Sequence, residues 1–254
     1  MARILPTPLP GTAERVPGRW AIVRWVSELD STPRALTAEL LASFSVVLVG
    51  AGAAIAGGLG LEPVGVALAY GAIVAVAAAI TAGPSAGLAN PAIVVGLWAI
   101  GRLSGLRAVA LVLAQLLGAL AAGLLLRWVA PGPSFGTTSG GTPTLAAGLA
   151  SGKGVVIEAV LTFVLAVAAM LLVHDARGSS RAAAGLTLGL VVASAGLAFG
   201  PYTGAALNPV RWFGPAVASW SWEAWFVWVV GPLAGAVIAA VSCSLAFGHE
   251  RPPP

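Results

Sequence analysis

The chain has 254 residues, of which 58% are hydrophobic and only 9% charged, with a mean hydropathy of +0.95. A soluble domain carries about 25% charged residues, so this composition excludes an ordinary soluble fold and fits one compact bundle of membrane spans. The net charge of +4 and pI of about 10.2 do not point to nucleic acid, because the basic residues form no stripe; the lone Cys243 forbids an internal disulfide, and with only His174 and His249 beside it an ordinary Cys/His metal site is out of reach.

Residues 1–35 are Pro-rich and carry five Arg (Arg3, Arg15, Arg19, Arg24, Arg34). They lack the 7–15-residue apolar core of a signal peptide and read as a retained cytoplasmic tail, in which 20–26 is a candidate for lying at the membrane surface or for a disordered segment. Six later stretches meet the requirement of about 20 apolar residues per span: 36–59, 62–83, 107–130, 153–174, 182–200 and 223–247. Two shorter apolar tracts, 90–100 and 208–219, are about half a span each, and 248–254 is a short tail.

Each short tract opens on the same signal, Asn90-Pro91-Ala92 in one and Asn208-Pro209-Val210 in the other, 118 residues apart and each preceded by a Gly-rich run. Asn is a strong N-cap because its side-chain oxygen satisfies an orphan amide. Pro at the first helical position gives up nothing, since its missing N–H would be unpaired there. Both motifs therefore start helices where the hydropathy indicates membrane. Broken backbone at that depth is tolerated only inside protein or beside a polar cavity, and two such breaks in matching halves point to a site between them.

The halves repeat. Glu39 stands five residues before Phe44 and Glu158 five before Phe163; Glu39 lies 51 residues before Asn90 and Glu158 lies 50 before Asn208. The run Ala114-Gln115-Leu116-Leu117-Gly118-Ala119 resembles Gly231-Pro232-Leu233-Ala234-Gly235-Ala236 at an offset of 117. Each repeat (about 36–130 and about 153–247) holds three spans, an odd number, so the second runs through the membrane inverted and the half-helices enter from opposite faces. The small-residue rows Ala114/Gly118/Ala122, Gly185/Gly189/Ala193 and Gly231/Gly235/Ala239 read as helix-packing surfaces. For orientation, the N-terminal Arg residues share one side with Arg102, Arg107, Arg177, Arg181 and Arg251, against Arg127, Lys153 and Arg211 on the other. By the positive-inside rule both termini are cytoplasmic, and the Gly/Ser/Thr-rich segment 131–145 faces outward.

These landmarks together resemble the aquaporins, the major intrinsic protein family, over residues 36–247: twin Asn-Pro motifs, Arg211 after the second, and a Glu early in each half. The resemblance implies an all-α integral membrane protein of six tilted transmembrane helices plus two re-entrant half-helices in an inverted repeat. It further implies a passive channel for water, with glycerol or other small neutral solutes as further candidates, no catalysis, no cofactor, and a homotetramer in the cell membrane. Glu39 and Glu158 then buttress the pore loops by accepting backbone hydrogen bonds, although intramembrane carboxylates also carry protons in pumps.

The chemistry follows from the helix ends. Each half-helix places roughly +0.5 charge at its N-terminus, and two facing ends oppose a cation that has shed its hydration. Water can instead present its oxygen to the amide donors of Asn90 and Asn208. Arg211, three residues into the second half-helix, reads as a cation-repelling pore residue rather than one snorkelling to the surface. Two other readings compete. Inverted repeats with broken helices also describe ion-coupled secondary transporters, and Gly83-Pro84-Ser85-Ala86-Gly87 fits the G-x-S-x-G pattern of hydrolases, though without a preceding strand.

Several positions depart from the family's commonest pattern. Val210 replaces the usual Ala, Leu88 stands where a His is frequent, and ungapped alignment from each Asn places Tyr70, Gly196, Ala205 and Arg211 at the constriction. Gly196 is similar to the glycerol facilitators, whereas Trp212 and Ala216 are not. The expectation is a wide filter bounded by Tyr70 and Arg211, unless Trp212 leans inward or Phe199 fills the space beside Gly196.

Overall fold

In a computed structural model the residues described are 33–83, 85, 89–173 and 181–247. Residues 1–32 of the N-terminal tail with the 20–26 segment, the C-terminal tail 248–254, Leu88 and His174 lie outside them, whereas 33–35 belong to the first helix. Six long helices are apolar enough to span a bilayer: α1 (Pro33–Gly57), α2 (Pro63–Thr81), α4 (Gly105–Val129), α6 (Ser151–Val173), α7 (Arg181–Thr203) and α9 (Phe226–Phe247). Two short ones, α3 (Pro91–Ala99) and α8 (Pro209–Ser219), start at the Asn-Pro motifs. With 9 and 11 residues at 1.5 Å rise each, α3 and α8 together amount to about 30 Å, the thickness of one hydrocarbon core.

Helix starts follow the local chemistry. The Asn90 and Asn208 side-chain oxygens accept from the Ala92 and Val210 amides at 2.9 and 3.1 Å, Pro63 occupies the first turn of α2, and Ser104 caps α4 through the Arg107 amide. One difference from the sequence reading lies in 131–145, which holds a short helix α5 (Gly132–Thr137) and a 3-10 turn (Ser139–Gly141). The last span begins at Phe226 rather than 223, and α7 runs on through Pro201 to Thr203.

The small-residue rows are where backbones meet. A Cβ at Gly118 would stand 2.1 Å from the Leu40 carbonyl oxygen, and one at Gly235 2.0 Å from that of Ala159. The α1–α4 and α6–α9 contacts are thus the same contact in the two halves. Across the halves, a Cβ at Gly71 would lie 2.5 Å from Gly189 O and one at Gly189 2.5 Å from Gly71 O. A reciprocal contact between equivalent residues is the mark of a two-fold relation, so the pseudo-symmetry axis passes between α2 and α7.

Candidate functional site

The same reciprocity governs the centre of the molecule. Asn90 Nδ2 donates to the Leu207 carbonyl at 2.9 Å, and Asn208 Nδ2 donates to the Ala89 carbonyl at 2.8 Å. Ala89 and Leu207 are equivalent residues with φ of 40° and 55°. Non-glycine residues in this left-handed region cost about 1–2 kcal/mol each, and here the conformation presents each carbonyl to the opposite Asn. Each Asn has an oxygen and two N–H groups. The oxygen caps its own helix and one N–H goes to the opposite loop, which leaves one N–H for the lumen.

Buried carboxylates hold these strained turns. Glu39 Oε2 accepts from the Ala89 amide at 2.8 Å and from Gln115 Nε2 at 2.5 Å. Glu158 Oε1 accepts from Thr203 Oγ1 at 2.7 Å and the Ala206 amide at 3.0 Å, while its Oε2 accepts from the Leu207 amide at 2.8 Å. Both side chains are wholly buried. Trp228 Nε1 adds a bond to the Thr203 carbonyl at 2.9 Å. Gln115 and Thr203 were not singled out as site residues from sequence, where a lone amide or hydroxyl among apolar residues carries no spacing signal.

One level away from the Asn pair, Arg211 and Tyr70 meet. The Arg211 guanidinium carbon lies 5.5 Å from the Tyr70 ring centroid. Its two terminal nitrogens donate to Gly141 O at 2.7 Å and Gly50 O at 3.1 Å, and its buried Nε has no partner among the described residues. The Tyr70 hydroxyl donates to the Ala206 carbonyl at 2.6 Å, so the ring reaches from α2 to the second pore loop. Gly50 and Gly141 were also missed by sequence reasoning. A Cβ at Gly50 would sit 2.9 Å from Tyr70 Cδ2, and Gly141, at φ +73°, leaves no room for one against Ala51.

The remaining positions distribute unevenly. Ala205, fully buried at φ 43°, lies in the same loop. Gly196 stands against α2: a Cβ there would be 2.9 Å from the Ala67 Cβ, so its lack of a side chain permits the α2–α7 approach. Trp212 packs edge-on to Trp222 and in a cluster with Ala206, Ala216, Val227 and Trp228. Phe199 is 38% exposed and paired with Tyr202. Val210 is buried among Val47, Ala51, Ala119 and Ala122 of α1 and α4, just as Ala92 is buried among Ala166, Ala236 and Ala239 of α6 and α9. The extra methyls of Val210 are therefore helix packing.

A cavity of about 30 Å3 runs from Tyr70 to the Asn pair, lined also by Ala89, Ile93 and Val192. A water needs about 10–15 Å3 of such space. Ser85, the serine of the hydrolase-like pattern, is fully buried and donates to the Thr81 carbonyl at 3.3 Å.

The sequence profile of the major intrinsic protein family matches residues 26–242. The chain is 41% identical over 234 residues to aquaporin TIP4-4 of Zea mays, covering 87% of this chain and 90% of that one. It is 38% identical over 217 residues to aquaporin TIP2-1 of Arabidopsis thaliana, covering 82% and 85%. In fold it is similar to the X-ray structure of the aquaglyceroporin from Plasmodium falciparum, with a TM-score of 0.75 at 22% identity over 84% of this chain and 96% of that chain. The six spans, two facing half-helices and twin Asn-Pro motifs thus have their explanation: the chain belongs to the major intrinsic protein family, and is a multi-pass membrane channel, not an enzyme, that passes water and small solutes passively.

Proposed function

We propose that the permeant is water, that ions and protons are excluded by the Asn pair together with Arg211, and that Tyr70 sets the width of the filter. The observation that carries this reading is the Tyr70 hydroxyl on the Ala206 carbonyl, with Arg211 at 5.5 Å from the ring. A water arriving at the Asn pair meets one free N–H from each side and turns its oxygen toward both. Its own hydrogens then point away in opposite directions, which breaks a donor chain for protons. A cation meets two half-helix N-termini and a guanidinium instead.

The experiment is stopped-flow light scattering on proteoliposomes under sucrose and then glycerol gradients. The parent protein should pass water and hold back glycerol. Tyr70→Ala should raise glycerol flux about tenfold, equivalent to ~1.4 kcal/mol off the barrier. A parent protein that passes glycerol freely, or a Tyr70→Ala variant that excludes it as well as the parent does, rejects Tyr70 as the narrowing group. Glycerol passage is the second reading, favoured by the small side chain at Ala205; Gly196 stands against Ala67 of α2 instead.

In the same reading the chain is a homotetramer of the cell membrane with both termini cytoplasmic. The Arg and Lys distribution supports the orientation. Exposed apolar rows on α2 (Val64, Leu68, Val76) and α7 (Leu186, Leu190, Leu197) leave faces for neighbours or lipid. Particle mass in detergent tests the assembly, and protease access to the tails in oriented vesicles tests the topology.

A further inference from the structure

Away from the pore, a cleft of about 390 Å3 opens between the end of α4, α5 and the end of α8, lined by Arg127, Phe135, Gly136, Ser139, Ser219 and Ser221. Arg127 Nη1 donates to the Ala218 carbonyl, one of the last acceptors of α8. A guanidinium has five N–H donors in a fixed fork, so most of the fork remains for something else. Among the described residues no carboxylate lines the cleft. The Ser219 hydroxyl donates to the Pro215 carbonyl at 2.8 Å and lies 3.0 Å from Ser221 Oγ, and Ser139 lines the same cleft, so hydroxyls share it with the cation. A cation and hydroxyls without an acid match an oxyanion, and an Arg fork matches phosphate in particular.

The surroundings say where that phosphate comes from. Arg127 is in the last turn of a spanning helix whose outward row, including Leu113, Leu117 and Leu124, is more than half or about half exposed. Its neighbour Trp128 is 82% exposed, and Trp220, which caps α8 beside the cleft, is 78% exposed. Exposed Trp at the end of a span belongs at headgroup depth. We propose that this cleft binds the phosphate of an anionic glycerophospholipid headgroup, with Arg127 as the charge partner and Ser139 and Ser221 as hydroxyl partners. The site touches the filter through one turn: Ser139 lines the cleft, and Gly141, two residues on, accepts from Arg211.

The test is native mass spectrometry of the full-length protein in detergent, with dioleoyl phosphatidylglycerol, dioleoylglycerol or inorganic phosphate added. The parent protein should retain phosphatidylglycerol and not dioleoylglycerol, and Arg127→Gln should lower retention about tenfold, the loss of one charge-assisted contact. Because Arg127 also holds Ala218, Gly136→Leu is the second variant. A side chain there meets nothing within 4 Å, so it fills the cleft with Arg127 in place, and the same drop is expected. Equal retention by parent and both variants, or equal retention of dioleoylglycerol, overturns the site. Displacement of the lipid by millimolar inorganic phosphate overturns the lipid assignment in favour of a free-phosphate site.

Discussion

The first half of the chain supports its half-helix with Glu39 and the amide of Gln115, and it contributes Asn90 to the centre and Tyr70 to the level of Arg211. The second half supports its own with Glu158, Thr203 and Trp228, and it contributes Asn208 but also Arg211, which follows the loop 204–208 with its positive φ at Ala205 and Leu207. At the Asn level the halves are interchangeable. One level outward they are not: the first half supplies an aromatic and a carbonyl, the second a cation. In the proposed reading the two-fold relation builds the orienting centre, whereas discrimination sits where the relation fails.

The largest way to break this arrangement is Glu158→Ala. It leaves the Ala206 and Leu207 amides without their acceptor in a buried loop, at about 1–3 kcal/mol for each unsatisfied group. A fall in the thermal midpoint of the purified protein, with loss of water flux, is expected. Glu158→Gln keeps one carbonyl acceptor and should lie between. If Glu158→Ala melts with the parent, the carboxylate does not hold the loop.

Arg211→Val comes next and attacks the asymmetric level alone. The Asn pair stays intact, so water flux and folding should persist, while proton or cation flux rises by about tenfold or more as the cation of the proposed filter is lost. Unchanged leak in a variant that still conducts water would move ion exclusion entirely to the symmetric centre, and would remove the distinction drawn between the two levels.

What the sequence made legible follows the same division. Spans and half-spans came from hydropathy, and the helix starts from Asn-Pro chemistry, both of which are local. The Glu39 and Glu158 landmarks, the matching Asn90 and Asn208 distances and the 114–119/231–236 runs, all at nearly one offset, with three spans in each repeat, were enough to expect the inverted repeat. The filter's supports were not legible, because they join residues far apart: Arg211 meets Gly50 across 161 positions, and neither glycine at its carbonyl acceptors announces itself. Alignment put Gly196 at the constriction but could not say that its bare face is spent on Ala67. The 3-10 turn at Ser139–Gly141 is too short for periodicity to reveal.

The smallest effect is expected at the second motif, and it tests whether the symmetric level tolerates unequal side chains. Val210 fills space among Val47, Ala51, Ala119 and Ala122, while its equivalent Ala92 is enclosed by the small residues Ala166, Ala236 and Ala239. Val210→Ala removes two buried methyls and leaves a small cavity behind the half-helix, at a cost of about 1–2 kcal/mol. The Asn208 cap and its bond to Ala89 use atoms that the change does not touch, so water flux should stay within about twofold of the parent, a difference of ~0.4 kcal/mol in barrier. Ala92→Val makes the opposite change in a fully buried cluster of small residues that Phe163, Val167 and Leu233 also pack against, and overpacking costs about 1–3 kcal/mol. Thermal melting and stopped-flow on the two variants separate the cases. A large loss of water selectivity in Val210→Ala, with its melting unchanged, would place Val210 in the lumen wall and not in the packing between α8 and its neighbours.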